Sequence, residues 1–88
     1  MNDLKFQSQG WEDFLYWQQQ DPKTLKRIIK LLRDLDRNGY NGIGKPEPLQ
    51  GALSGWWSVR IDSINRLVFK IENGELIVYS CRGHYGDT

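Results

Sequence analysis

One cysteine, one histidine and three prolines are spread over 88 residues, and no long apolar run is free of charge. A single cysteine excludes an internal disulfide framework and suits a reducing compartment. One histidine three residues past one cysteine makes a poor zinc site, so neither a metal nor another cofactor is expected. The sequence has no N-terminal apolar segment of the signal-peptide kind and no run long enough to cross a bilayer. Both absences point to the cytoplasm and away from membranes. Neither sign of charge dominates: twelve Lys and Arg face eleven Asp and Glu, for a net +1. That balance argues neither for nor against a nucleic-acid partner.

Aromatic residues, in contrast, are plentiful. Four Trp, four Tyr and three Phe supply large buried areas to a single domain of this length, with one modest core. The charge is also unevenly placed. Lys23, Lys26, Arg27, Lys30, Arg33 and Arg37 face only Asp34 and Asp36 between positions 23 and 37, a local balance of +4. Such a face can follow a phosphate backbone, or it can simply be solvated; composition alone favours the second.

The periodicities lay out the elements. Leu4 and Phe6 alternate with polar neighbours, as in a short strand. Ser8 is a candidate cap for a helix carrying Trp11, Phe14 and Leu15. Asp21-Pro22 reads as an N-cap with proline at the first helical position. Leu25, Ile28, Ile29, Leu32 and Leu35 then mark an amphipathic helix that stops at Asn38-Gly39. The chain from Tyr40 to Gly55 is irregular, rich in glycine, and of a length that is uncommon without a function. Three strand-like runs follow, at 56–61, 65–71 and 75–81, the last two joined by Asn73-Gly74, a strong hairpin signal. The predicted class is α+β: two N-terminal helices on one face of a mostly antiparallel twisted sheet, in the order β-α-α-β-β-β, forming one domain over 1–88.

Within the irregular segment lies "KPEPL", residues 45–49. Proline on either side stiffens the chain and keeps it out of a helix, so Glu47 sits on a rigid mount. A two-residue turn at Asn73-Gly74 would place Glu72 opposite Glu75, Phe69 opposite Val78 and Arg66 opposite Cys81. His84 follows Cys81 by about 10 Å of extended chain, so Arg66 and His84 share one end of the sheet. Arg60 joins that end too, but the length of the turn through Asp62 and Ser63 decides whether it shares a face with Arg66.

A carboxylate, arginines and a histidine gathered in this way suit phosphodiester chemistry. Glu47 can take the proton of an RNA 2′-hydroxyl. Arg66 can hold two phosphate oxygens at once through its guanidinium. His84 can protonate the departing 5′-oxygen, because imidazole titrates near neutrality. Each residue also has a plainer role: Glu47 as a loop charge, Arg60 and Arg66 as strand-edge charges, His84 as an exposed tail residue, Tyr85 as an amphipathic cap. Trp56 and Trp57 must lie on opposite faces of their strand, one in the core and the other stacking on a base or, as the plainer role, covering the sheet.

Taken together, "GKPEPL" at 44–49, "LSGWWSVRI" at 53–61, "NRLVF" at 65–69, "CRGHY" at 81–85 and "WEDFLYWQQQD" at 11–21 resemble the YoeB (Txe) branch of the RelE-type toxins over nearly the whole chain. The resemblance implies a ribosome-dependent, metal-independent endonuclease that enters the ribosomal A site and cuts mRNA by 2′-hydroxyl attack. It implies Glu47 as base, Arg66 as phosphate stabiliser, His84 as acid and Tyr85 as the residue that orients or stacks the substrate. Lys45 and Arg60 would support the phosphate or contacts to ribosomal RNA. The implied partner is a YefM-type antitoxin that covers the site, and the branch also admits homodimers.

The chain departs from that pattern at several positions. Gln50 stands where a lysine is expected, Val59 where a second arginine often precedes Arg60, and Asn65 where a histidine is common. Gly86, Asp87 and Thr88 extend past the His-Tyr pair. The four catalytic positions are intact. Two other classes stay open on these residues: a module that binds RNA or the ribosome without cutting, and a protein-binding cognate of an antitoxin-like repressor.

Overall fold

The computed structural model describes residues 2–83. Strand β1 (Asp3–Phe6) leads into helices α1 (Ser8–Gln20) and α2 (Pro22–Asn38), followed by strands β2 (Glu47–Pro48), β3 (Trp57–Arg60), β4 (Arg66–Glu72) and β5 (Glu75–Ser80). The strands lie in the order β1-β5-β4-β3-β2. All neighbours are antiparallel except β1 and β5, which run parallel. The α+β class with two helices on one sheet face is therefore present, and the predicted four strands are joined by a fifth. That fifth strand, β2, lies inside the segment expected to be irregular. A two-residue strand flanked by proline leaves almost no periodicity in sequence to detect.

Local sequence accounts for most boundaries. Asp21 caps α2 by accepting from Thr24 N and Thr24 Oγ1, with Pro22 in the first turn. Gly39 ends α2 at φ 58 and donates its N–H to Leu35 O. The cap of α1 is a correction: Gln7 rather than Ser8 occupies that position, without a side-chain cap bond. Gln7 N still donates to Val78 O beside β5, while Gln7 O already accepts from Trp11 N. Strand pairing thus holds the chain until the residue at which the helix begins.

Ile28, Leu32 and Leu35 of α2 and Trp17 of α1 pack on Val59, Leu67, Phe69, Leu76 and Val78, all buried. Gly10 lets α1 lie close to β5, since a Cβ there would sit 2.7 Å from Val78 O. Tyr40, just after α2, closes the other end. Its ring lies against Trp57 and Phe69, and its hydroxyl both accepts from Ile71 N and donates to Ile71 O. Trp57 joins the core cluster. Trp56 instead packs with Tyr79, and Lys70 Nζ stands 4.5 Å from its ring centre. The two tryptophans divide between faces as the strand period requires.

The hairpin follows the expected register near its turn. Asn73 and Gly74 take φ of 52° and 76°, and Glu72 pairs with Glu75, Ile71 with Leu76 and Phe69 with Val78. A bulge then intervenes, so that Val68 pairs with Ser80. Tyr79 is the extra residue, and beyond the Val68–Ser80 pair Arg66 N donates to Gly83 O, which carries Arg66 past Cys81. The Arg66–Cys81 pairing expected from sequence is therefore not formed.

Candidate active site

The sheet face turned away from the helices carries Glu47, Ser58, Arg60 and Arg66. Glu47 pairs with Ser58 across β2 and β3, and Arg60 pairs directly with Arg66 across β3 and β4. Residues directly opposite in an antiparallel pair share a face, which settles the position of Arg60. The five residues between these arginines turn around Asp62. Its Oδ1 accepts from the N–H groups of Ile64 and Asn65, and both its oxygens accept from Asn65 Nδ2. Burial pushes the Asp62 carboxyl up, but these donors and the nearby Arg27 charge outweigh it and hold the group below 3.8.

Glu47 owes its position to contacts on both sides. Upstream, Asp34 of α2 accepts from Ile43 N, and Gly42 lies so close to that carboxylate that a Cβ there would force it to move. Gly44 then passes over Val59, and Lys45 turns at φ 52, a conformation a side chain adopts at some cost. Downstream, Leu49 is buried and donates its N–H to Trp56 O. The mount of Glu47 is therefore built by neighbouring elements as well as by its two prolines.

Arg66 reaches the same place from the opposite strand. Its Nε and Nη2 donate to the hydroxyl of Ser58 at 3.2 and 3.1 Å, and Nη2 lies 3.8 Å from Glu47 Oε1. The Arg66 side chain is only 12% exposed, whereas that of Glu47 is 69% exposed. Such a pair contributes little to stability. Its meaning is positional: a fixed cation beside a solvent-facing carboxylate can receive an anion from the open side. Lys45 is exposed, two residues before Glu47.

His84 and Tyr85 lie outside the described residues. The chain leading to them is fastened at each step. Cys81 N donates to Asp13 Oδ2, and Cys81 O accepts from Trp17 Nε1. The Arg82 guanidinium stands 3.6 Å over the Tyr16 ring. Gly83 N donates to Asn65 Oδ1, and Gly83 O accepts from Arg66 N. Gly83 is thereby joined to the backbone of Arg66, one residue before the sole histidine. Reading by residue type missed Ser58, Asn65 and Asp13 as contributors. Only Asn65 carried a signal, as a departure from a familiar pattern.

Residues 6–85 match the model of the YoeB-like toxin of bacterial type II toxin–antitoxin systems. The toxin YoeB of Streptomyces coelicolor is 48% identical over 82 residues, covering 93% of this chain and 98% of that one. A YoeB–YefM complex from Staphylococcus aureus superposes with a TM-score of 0.87 at 41% identity, covering 97% of this chain and 99% of that one. A YoeB dimer from the same organism gives 0.87 at 42%, covering 96% and 98%. The class is that of a toxin of a type II toxin–antitoxin system. Within it, the chain belongs to the YoeB-like family.

Proposed function

We propose that this toxin is an endoribonuclease that cuts mRNA in the ribosomal A site, with Glu47, Arg66 and His84 as base, phosphate clamp and acid. Glu47 removes the proton from a 2′-hydroxyl, whose oxygen attacks the adjacent phosphorus. Arg66 binds the phosphate oxygens on which negative charge accumulates. The bond to the 5′-oxygen breaks, and that oxygen takes a proton from His84. The products are a 2′,3′-cyclic phosphate and a 5′-hydroxyl, without metal in the chemical step. Tyr85 orients or stacks the substrate, and Lys45 and Arg60 support the phosphate or ribosomal RNA. A YefM-type antitoxin is the partner in the cytoplasm, as in the Staphylococcus aureus complex, and a homodimer is a second assembly state.

The observation that carries this reading is the pair Glu47–Arg66 at 3.8 Å on the open sheet face. A flexible message is poorly held by so small a site, and the decoding centre would supply the missing orientation. The test is cleavage of a defined mRNA, free and in programmed ribosomes, by the native protein, Glu47→Ala and His84→Gln. Cutting on ribosomes alone, lost by a factor of about 10² to 10⁴ in each variant, is expected. Tight ribosome binding without cutting by the native protein would instead select the non-catalytic module.

A further inference from the structure

A second feature lies beside Glu47, at the β3 edge of the sheet that two-residue β2 leaves uncovered. Arg27 and Lys30 of α2 meet Arg60 around an open cleft of about 340 Å³, whose remaining wall is Leu31, Ile43 and Gly44. Among the described residues, none of the three cations forms an ion pair. Arg27 lies near enough to Asp62 to lower its pKa, but the Asp62 oxygens already accept bonds from their own turn. Three exposed cationic side chains lining one cleft with an apolar wall raise the local positive potential.

We propose that Arg27, Lys30 and Arg60 form a subsite for a backbone phosphate of the message flanking the scissile one. Arg60 joins the two places, since it lines the cleft and is the cross-strand partner of Arg66. A strand with its scissile phosphate at Arg66 meets Arg60 next and then the cleft. The wall residues Ile43 and Gly44 belong to the segment that leads directly into Glu47, so the subsite is built into the mount of the base. Phosphate contacts fix register without reading sequence. The cleft would thus hold the message in line for attack while remaining indifferent to the bases bound there.

This subsite rests on the nuclease reading, and the experiment separates the two. Arg27→Gln/Lys30→Gln keeps good helix formers at exposed positions, and a thermal melt checks that the fold survives. Programmed ribosomes carry messages with a single uncharged methylphosphonate linkage at successive positions around the cut. The double variant is expected to lower kcat/KM about tenfold, mostly through KM. At one flanking position, the neutral linkage should slow the native protein by a similar factor and slow the variant no further, a non-additive cycle. Native-like cutting by the variant would overturn the subsite while leaving the nuclease intact. Additive effects at every position, with weakened binding to ribosomes lacking a message, would also overturn it and assign the cations to ribosomal RNA. Failure of the native protein to cut would remove both readings.

Discussion

Arg66 hangs from Ser58. Both Nε and Nη2 of the guanidinium donate to one buried hydroxyl, at 3.2 and 3.1 Å, while Glu47 waits 3.8 Å away on the solvent side. The tether fixes the guanidinium beside the carboxylate on the sheet face turned away from the helices. Ser58→Ala should fold normally and lose on the order of tenfold to a hundredfold in kcat, with KM little changed, because the phosphate clamp is misplaced. Single-turnover cleavage on programmed ribosomes measures this. An unchanged kcat would show that the hydroxyl serves packing alone.

Asn65 acts on the other side of Arg66, through its bond from Gly83 N. If that bond serves the acid, Asn65→Ala should slow cutting of ordinary message about tenfold or more. A message with sulfur in place of the departing 5′-oxygen needs no acid and should be cut at nearly the native rate. Equal losses on both messages would mean that Asn65 only stabilises its turn.

Gly10→Ala tests how closely α1 lies on β5. Alanine in an exposed helix would stabilise by about 1 kcal/mol. Here the new methyl would meet Val78 O at 2.7 Å, and backbone cannot move aside as a flexible side chain can. Overpacking should win, lowering stability by about 1–3 kcal/mol in a denaturant titration.

The Cys81 thiol is fully buried and pushed up to about 12, first by burial and then by the Asp13 charge. It should resist alkylation at pH 8 in the folded protein and react once the chain unfolds. Linkage gives a second readout. The unfolded thiol ionises near 9.0 while the folded one stays protonated. Between about 9 and 12 the unfolded chain therefore binds fewer protons, and stability falls as pH rises. Chemical melts of Cys81→Ala should show a shallower decline above pH 9 than the native protein.

The sequence by itself determined the helices, the hairpin turn and the class. Asp21-Pro22 and Asn38-Gly39 fix the ends of α2 through bonds within a few residues, and Asn73-Gly74 needs only its own backbone freedom. The residue types of the site were legible too, since "KPEPL" and the arginine of "NRLVF" keep a recognisable pattern. Tertiary structure alone decided how those residues meet. The face shared by Arg60 and Arg66 depended on a five-residue turn around Asp62, and face parity flips with each residue added to a turn. The bulge at Tyr79 moved Arg66 off Cys81, although the alternation of the strands hardly registers it. Strand β2 exists because Glu47 and Pro48 have β3 to pair with. Ser58, Asn65 and Asp13 matter through partners 8, 18 and 68 positions away, a distance that no local pattern spans.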